Sequence, residues 1–420
     1  VRYAPAILVG RTVRVLARWR KPGGGSAVPG LVVNKIAPGF LSSVLNGFPD
    51  GLVIVSGSSG KSTTTKMLVA ALRAHGVTVF TNQSTANITQ GLTSALLEEV
   101  SLTGRIHGDM AVLEMDEGHG ALISATLNPR VVALTNVMVD QIDRFHDSDM
   151  VVAMLTRIAN RASGTVVINA DDASLLGLVD HLDGPAAVAR YGVTAEILAE
   201  NPRGLGYSVT ASERMPTADG ILLTRVSGRS ASVLLDGRSF DLDLPARGVH
   251  YAVDAVTAIA AAQAALGDRF DAATACAAVS AIPPVFGRGE IVTVRGRRVE
   301  FVLVQNPASF QLNVDSLEPG LDQVLVAIGS DVRDPSYFWP VDTSGLGRVL
   351  IASGSKAHDI ALQLAYDGVI VDRIEPDLGR ALDDFLALPD PEHGIKTIIF
   401  SADSMRRTRA HLGLASNREG

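Results

Sequence analysis

The stretch GLVIVSGSSGKSTTTKMLVAAL, residues 51–72, constrains this chain more than any other. A short apolar strand runs into a Gly/Ser loop and then into an Ala/Leu-rich helix, the context that a phosphate cradle requires. Gly57 and Gly60 permit tight backbone turns, so that successive N–H groups and the helix N-terminus face a phosphate. Lys61 adds a mobile positive charge, Ser62 is a candidate Mg²⁺ ligand, and Thr63 is its neighbour. The common G-x-x-x-x-G-K-[ST] form is not met, because Val55 occupies the first glycine position; the chain carries the shorter G-x-x-G-K-S-T. Nucleotide binding is the expectation, with an ordinary strand-to-helix turn as the bland alternative.

Around this loop, β-branched runs alternate with helical stretches: GLVIVS, VTVFTN, MAVLEMDE, VVALTNV and TVVINADD are strand candidates. That rhythm predicts an α/β fold on a mostly parallel, doubly wound sheet. KPGGGSAVPG at 21–30 is a breaker cluster, so residues 1–48 read as an N-terminal segment ahead of an ATP-binding central domain at 49–290. Within the latter, 195–247 has short runs separated by turn residues and reads as a β-rich insertion or extension. A second α/β domain is expected over 291–420, with QVLVAIGS, RVLIASG and TIIFSAD as strands. The length of 420 residues allows two to three such domains at ~150 residues each.

Charge and cysteine usage exclude several function classes. A net charge of −7 gives no general field for nucleic acid. The lone Cys276 removes disulfide frameworks, zinc ribbons and iron–sulfur clusters together, so any metal must be held by oxygen. No apolar run reaches the ~18 residues of a membrane span, and a cytoplasmic location is the default expectation. Arg11, Arg14 and Arg18 fall at i, i+3 and i+7 of a helix. They read as a solvated basic face, with an anionic membrane surface as the alternative.

Parallel sheets present the C-terminal ends of their strands to ligands, and acidic residues collect there. MAVLEMDE ends in Glu114, Asp116 and Glu117; Glu114 is a candidate for holding Mg²⁺ against nucleotide phosphates, and an acidic turn is the alternative. TNVMVDQIDRFHD gathers Asn136, Asp140, Asp143, His146 and Asp147, of which at least two should face the site.

The ordered motifs GSSGKSTTT, TNQSTANITQGL, EMDE, TNVMVDQIDRF, INADD, FGRGE, QNPASF, DVRDPSYFW and SGSKAHDIALQL together resemble the Mur ligase superfamily. Within it they are most similar to the MurT-type subunits of lipid II isoglutaminyl synthases. EMDE is similar to that branch's E-V-D-E and DQID to its D-Q-L-D, where other Mur ligases usually have a histidine at the position of Gln141. The resemblance implies ATP-dependent amidation of the D-glutamate α-carboxylate of lipid II, a membrane-anchored substrate, through an acyl phosphate. Ammonia would come from a GatD-type glutamine amidotransferase partner, and the work would be done at the inner face of the membrane. By the same comparison Lys61 and Ser62 serve ATP and Mg²⁺, Glu114 ligates the metal, and Asn82, Asn87 and Asp140 line the substrate end. Asn169, Asp171 and Asp172 would lie near the nucleotide, while Arg288 and Glu290 would form a hinge. Asp334, with Asp331 as second choice, would complete the partner's Cys–His pair; capping or pairing with Arg333 is the alternative.

The chain also departs from the family. No four-cysteine zinc ribbon is expected, N-P-A-G has become Asn306–Ser309, Val332 and Tyr337 replace a glycine and a tryptophan, and Tyr251 and Asp254 stand where many members have asparagines. Two other readings therefore stand beside amidation of lipid II: a Mur-ligase-like enzyme acting on another carboxylate or amino acid, and a non-catalytic ATP-binding regulator.

Overall fold

The computed structural model describes residues 2–20, 27–82, 89–138, 148–212, 220–283, 287–334 and 338–414. Three helices come first: α1 (Ala4–Arg20), α2 (Val28–Ile36) and α3 (Phe40–Leu45). The alternating series follows as β1 (Gly51–Ser56), α4 (Lys61–Ala74), β2 (Val79–Thr81), α5 (Thr89–Glu99), β3 (Met110–Glu114) and α6 (Glu117–Ile123). It continues with β4 (Val131–Leu134), α7 (Ser148–Ala159), β5 (Thr165–Asn169), α8 (Ala173–Val179), β6 (Ala187–Val193) and α9 (Ala195–Glu200). Strands β7 (Gly220–Ser227), β8 (Ser230–Leu235) and β9 (Arg238–Asp243) lead into α10 (Val249–Leu266) and α11 (Ala272–Ser280).

These strands form one sheet in the order β2-β3-β1-β4-β5-β6-β7-β8-β9, parallel from β2 through β7 and antiparallel beyond. The β-rich stretch continues the main sheet, because β7 pairs directly with β6. Period-two alternation sends Val53 and Val55 of β1 to one apolar layer and Leu52 and Ile54 to the other, so both faces are covered. Helices α4, α10 and α11 cover the first face. On the second, Ile7, Val33 and Phe40 of α1–α3 join residues of α5, α7 and α8. Helix α10 is long and apolar enough, by length and composition, to cross a membrane, yet it is buried as the central core helix.

The second sheet contains β10 (Arg288–Val294), β11 (Arg297–Leu303), β12 (Val324–Ala327), β13 (Arg348–Ser353), β14 (Ile370–Glu375) and β15 (Lys396–Phe400). Helices α12 (Pro307–Ser316), α13 (Ala357–Tyr366) and α14 (Leu378–Ala387) lie between these strands in the chain, and α15 (Ala402–His411) follows β15. The order is β10-β11-β15-β12-β13-β14, antiparallel only at β10. Asn306 and Ser309 form a reciprocal capping box at the start of α12, with Pro307 in its first turn. A serine where the family has glycine thus gains a local role, since its hydroxyl accepts from the Gln305 and Asn306 N–H groups. Arg203 spans the two sheets' layers, pairing with Asp315 at 2.8 Å and with Asp342.

Candidate functional site

Strand β1 lies between β3 and β4, so the chain's crossovers leave it in opposite directions and a crevice opens at its C-terminal end. The phosphate loop fills that position. Gly57 and Gly60 adopt φ of +132° and +81°, the region that favours glycine, and Gly60 caps α4. The loop is held from β4's end: Thr135 Oγ1 donates to the Ser59 carbonyl at 2.7 Å, and Asn136 Oδ1 accepts from the Ser59 N–H at 2.9 Å. The Asn136 carbonyl accepts from the Ser58 N–H as well. Asn136 is therefore the member of its acidic cluster that faces the loop among the described residues.

Lys61 Nζ folds back onto the Gly57 and Ser58 carbonyls, at 2.5 and 3.1 Å, and lies 3.6 Å from the buried Glu117 Oε2. Those carbonyl contacts hold the ammonium over the cradle, where a phosphate would compete for it. Ser62 Oγ donates to Glu114 Oε1 at 2.9 Å. Two oxygen donors meet there, which fits Mg²⁺, whose remaining ligands would be phosphate oxygens and water. Among the described residues no group of three or more His, Cys, Asp or Glu could hold a metal ion by itself. Asp116 instead serves the local backbone, capping α6 and pairing with His119 at 2.9 Å.

Asn82 brackets the end of β3. Its Nδ2 donates to the Glu114 carbonyl at 3.0 Å and its Oδ1 accepts from the Glu114 N–H at 2.9 Å, so it fixes the backbone that carries the metal candidate. Asn87 and Asp140, together with Gln141, Asp143, His146 and Asp147, lie outside the described residues. The INADD residues are turned inward. Asn169 donates to Tyr207 Oη, Asp171 accepts from the Val193 N–H, and Asp172 accepts from Val137, Ser174 and Leu175. Burial raises the Asp172 carboxyl to about 6 against the pull of those N–H donors.

A second layer beneath the loop was not evident from spacing. Asp254 of α10 is buried so close to Gly60 that a Cβ there would stand 2.1 Å from its Oδ1. Burial pushes its carboxyl well above the ordinary range, with Arg288 and the Thr64 and Thr63 hydroxyls opposing. Arg288 opens β10 and reaches back to Thr63 Oγ1 at 3.4 Å while its other amino group contacts Gln305 at 3.3 Å, so it bridges the two sheets' layers at the loop. Glu290 meets Arg409 at 2.8 Å. Beside them His250 has both ring nitrogens buried without a hydrogen-bond partner among the described residues, and burial, then Arg288, lowers it to about 4.

The family model of the Mur ligase middle domain matches residues 55–262, and that of the MurT ligase C-terminal region matches 303–399. The chain belongs to the Mur ligase superfamily. It is 27% identical over 411 residues to the MurT subunit of the glutamine-hydrolysing lipid II isoglutaminyl synthase of Streptococcus pneumoniae, covering 88% of each chain. Solved structures share the fold. The MurF ligase of Thermotoga maritima in complex with ADP superposes with a TM-score of 0.64 at 17% identity, over 91% of this chain and 83% of that one. The folylpolyglutamate synthase of Mycobacterium tuberculosis, complexed with ADP and AMPPCP, gives 0.62 at 18% identity over 98% and 100%. This Mur ligase is thus an ATP-dependent ligase of the synthetase-subunit kind. Asp334 lies on the segment after β12 and is exposed, and Asp331 on the same segment accepts from Ser401 Oγ at 2.7 Å.

Proposed function

We propose that this chain amidates the α-carboxylate of the D-glutamate in lipid II, using ATP, Mg²⁺ and ammonia released by a GatD-type glutaminase partner. The carboxylate oxygen takes the γ-phosphoryl group of ATP, giving an acyl phosphate and ADP. Ammonia then attacks the acyl carbon; the new C–N bond replaces the C–O bond to phosphate, inorganic phosphate leaves, and the nitrogen loses a proton. Lys61 and the loop N–H groups orient the phosphates and stabilise charge as it moves. Ser62 and Glu114 would hold Mg²⁺, which when bound neutralises phosphate charge. Asn82, Asn87 and Asp140 are assigned to the acceptor end, and Asn169, Asp171 and Asp172 act by bracing the strand ends behind the nucleotide. Work on a lipid-linked acceptor would place the enzyme in the cytoplasm, at the inner face of the membrane.

The observation that carries this reading is the extent of similarity to a MurT subunit, 88% of both chains, joined to a phosphate loop with a carboxylate beside its serine. The chain's own chemistry supports a separate nitrogen source. Glutamine hydrolysis usually takes an activated cysteine, whereas burial, then Asp271, pushes the Cys276 thiol up to about 11. Hydroxylamine trapping tests the first half-reaction. With ATP, Mg²⁺ and lipid II the chain is expected to form lipid II hydroxamate in step with ADP release. ADP release that ignores lipid II and yields no hydroxamate would refute the acyl phosphate.

A further inference from the structure

Helix α1 has two unlike faces. Inward, Ala6 and Ile7 are buried, and a Cβ on Gly10 would stand 2.6 Å from a Val33 methyl and 2.7 Å from a Leu97 methyl, so α1 sits directly on α2 and α5. Arg11 donates to the Leu97 and Val100 carbonyls at the end of α5, and Arg14 pairs with Glu98. Two of the three arginines expected on a solvated face are therefore anchors, and they fix the rotation of the helix about its axis. Outward, Leu8, Val15, Leu16 and Trp19 fall at i, i+7, i+8 and i+11, a single stripe of a 3.6-residue helix. All four are exposed, Trp19 to 88%. Helix α2, packed beside α1, adds exposed Val28 and Leu31.

Charge selects the occupant of this face. Residues 1–49 contain seven Lys and Arg and no Asp or Glu, within a chain whose net charge is −7. Arg11 and Arg14 are turned inward, Arg14 onto Glu98, and the other five basic residues belong to a segment without any carboxylate of its own. A second copy of the chain would bring together two segments that carry basic residues and no carboxylate of their own. An anionic bilayer supplies apolar depth and negative charge over one extended surface, and a tryptophan on the stripe suits its interface.

We propose that the outer face of α1 and α2 is a membrane-interface surface, which docks the folded enzyme flat on anionic phospholipid. The helix need not span or refold; its stripe enters the headgroup boundary while the inward arginines keep it fixed to the body. This inference rests on the stripe and the charge and does not depend on the acceptor proposed above. Its test contains no lipid II.

The full chain is sedimented with vesicles of phosphatidylglycerol and phosphatidylcholine in equal parts, and with vesicles of phosphatidylcholine alone. Anionic vesicles should be bound roughly tenfold more tightly, with the preference falling at about 0.5 M salt. The double variant Leu16→Ser, Trp19→Ser should lose binding while its melting temperature and its ATP turnover stay near those of the parent, because both side chains are exposed. Failure of the parent chain to bind anionic vesicles would overturn the proposal. So would equal binding by parent and variant. If the parent instead dimerises in light scattering and the variant does not, with no vesicle binding by either, the face is a self-interface and the proposal is likewise wrong.

Discussion

Lys61 is held by the loop's own carbonyls, so replacing it leaves the backbone of the cradle intact and removes only the charge. Lys61→Ala is expected to lower ADP release by roughly a hundredfold or more, the scale of losing one preorganised electrostatic contact in a transition state. Circular dichroism should show the parent fold; turnover close to the parent's would contradict the loop's role. His250 gives a pH-dependent counterpart. Its ring titrates near 4 when folded against an ordinary 6.5, so its contribution to stability is full above 6.5 and is lost as pH falls through about 4. At pH 5 this amounts to about 2 kcal/mol. His250→Phe removes a proton site whose nitrogens have no partner among the described residues, and the gap in denaturation midpoint between pH 7.5 and pH 5 should narrow by that order. An unchanged gap would mean that the ring is hydrated. The loop and the end of β3 carry their own local signals in the sequence, and the structure brings Ser62 and Glu114 of those two segments together at 2.9 Å. The contact of Asp254 with Gly60 was not legible, although the position stood out as an aspartate where many family members have asparagine, because it joins residues far apart in the chain through the packing of α10 on α4.

At the scale of elements, the turn from β1 into α4 is the most constrained feature. Gly60→Ala would place a methyl carbon 2.1 Å from Asp254 Oδ1 at a backbone φ of +81°. Neither the short, buried aspartate nor the helix behind it has room to give, so a destabilisation of about 1–3 kcal/mol and loss of ATP turnover are expected. Denaturant unfolding and ADP release measure both; parent-like values would show that the loop tolerates another conformation. The alternation of buried runs with helices was enough to read a mostly parallel sheet, since strands covered on both faces lack polar interruptions, whereas the strand order was not read. The orientation of α1 was not readable in the same way. Its sequence offers arginines and apolar residues on overlapping faces, and the choice is made by the carbonyls at the end of α5 and by the space beside Gly10. Likewise α10 reads as apolar on nearly every side apart from a few polar residues such as His250 and Asp254, and its place between α4 and the sheet explains that composition.

For the whole molecule, the proposed reaction separates ligation from ammonia supply. Asp334 is exposed on the segment that follows β12. As the residue assigned to the partner's Cys–His pair, Asp334→Asn should impair glutamine-driven amidation by the two-chain complex and leave ammonium-driven amidation near the parent level. Equal loss with both donors would move this aspartate into the ligase site. Arg288 and Arg203 tie the two sheets' layers together. The most direct measurement is mass spectrometry of lipid II after incubation with the purified chain, ATP and Mg²⁺. Ammonium should convert one hydroxyl of the stem peptide's D-glutamate carboxyl to an amino group, with one ADP released per product. Glutamine should do so only when the glutaminase partner is added. Unmodified lipid II with ammonium present, or amidation by the single chain from glutamine, would contradict the account.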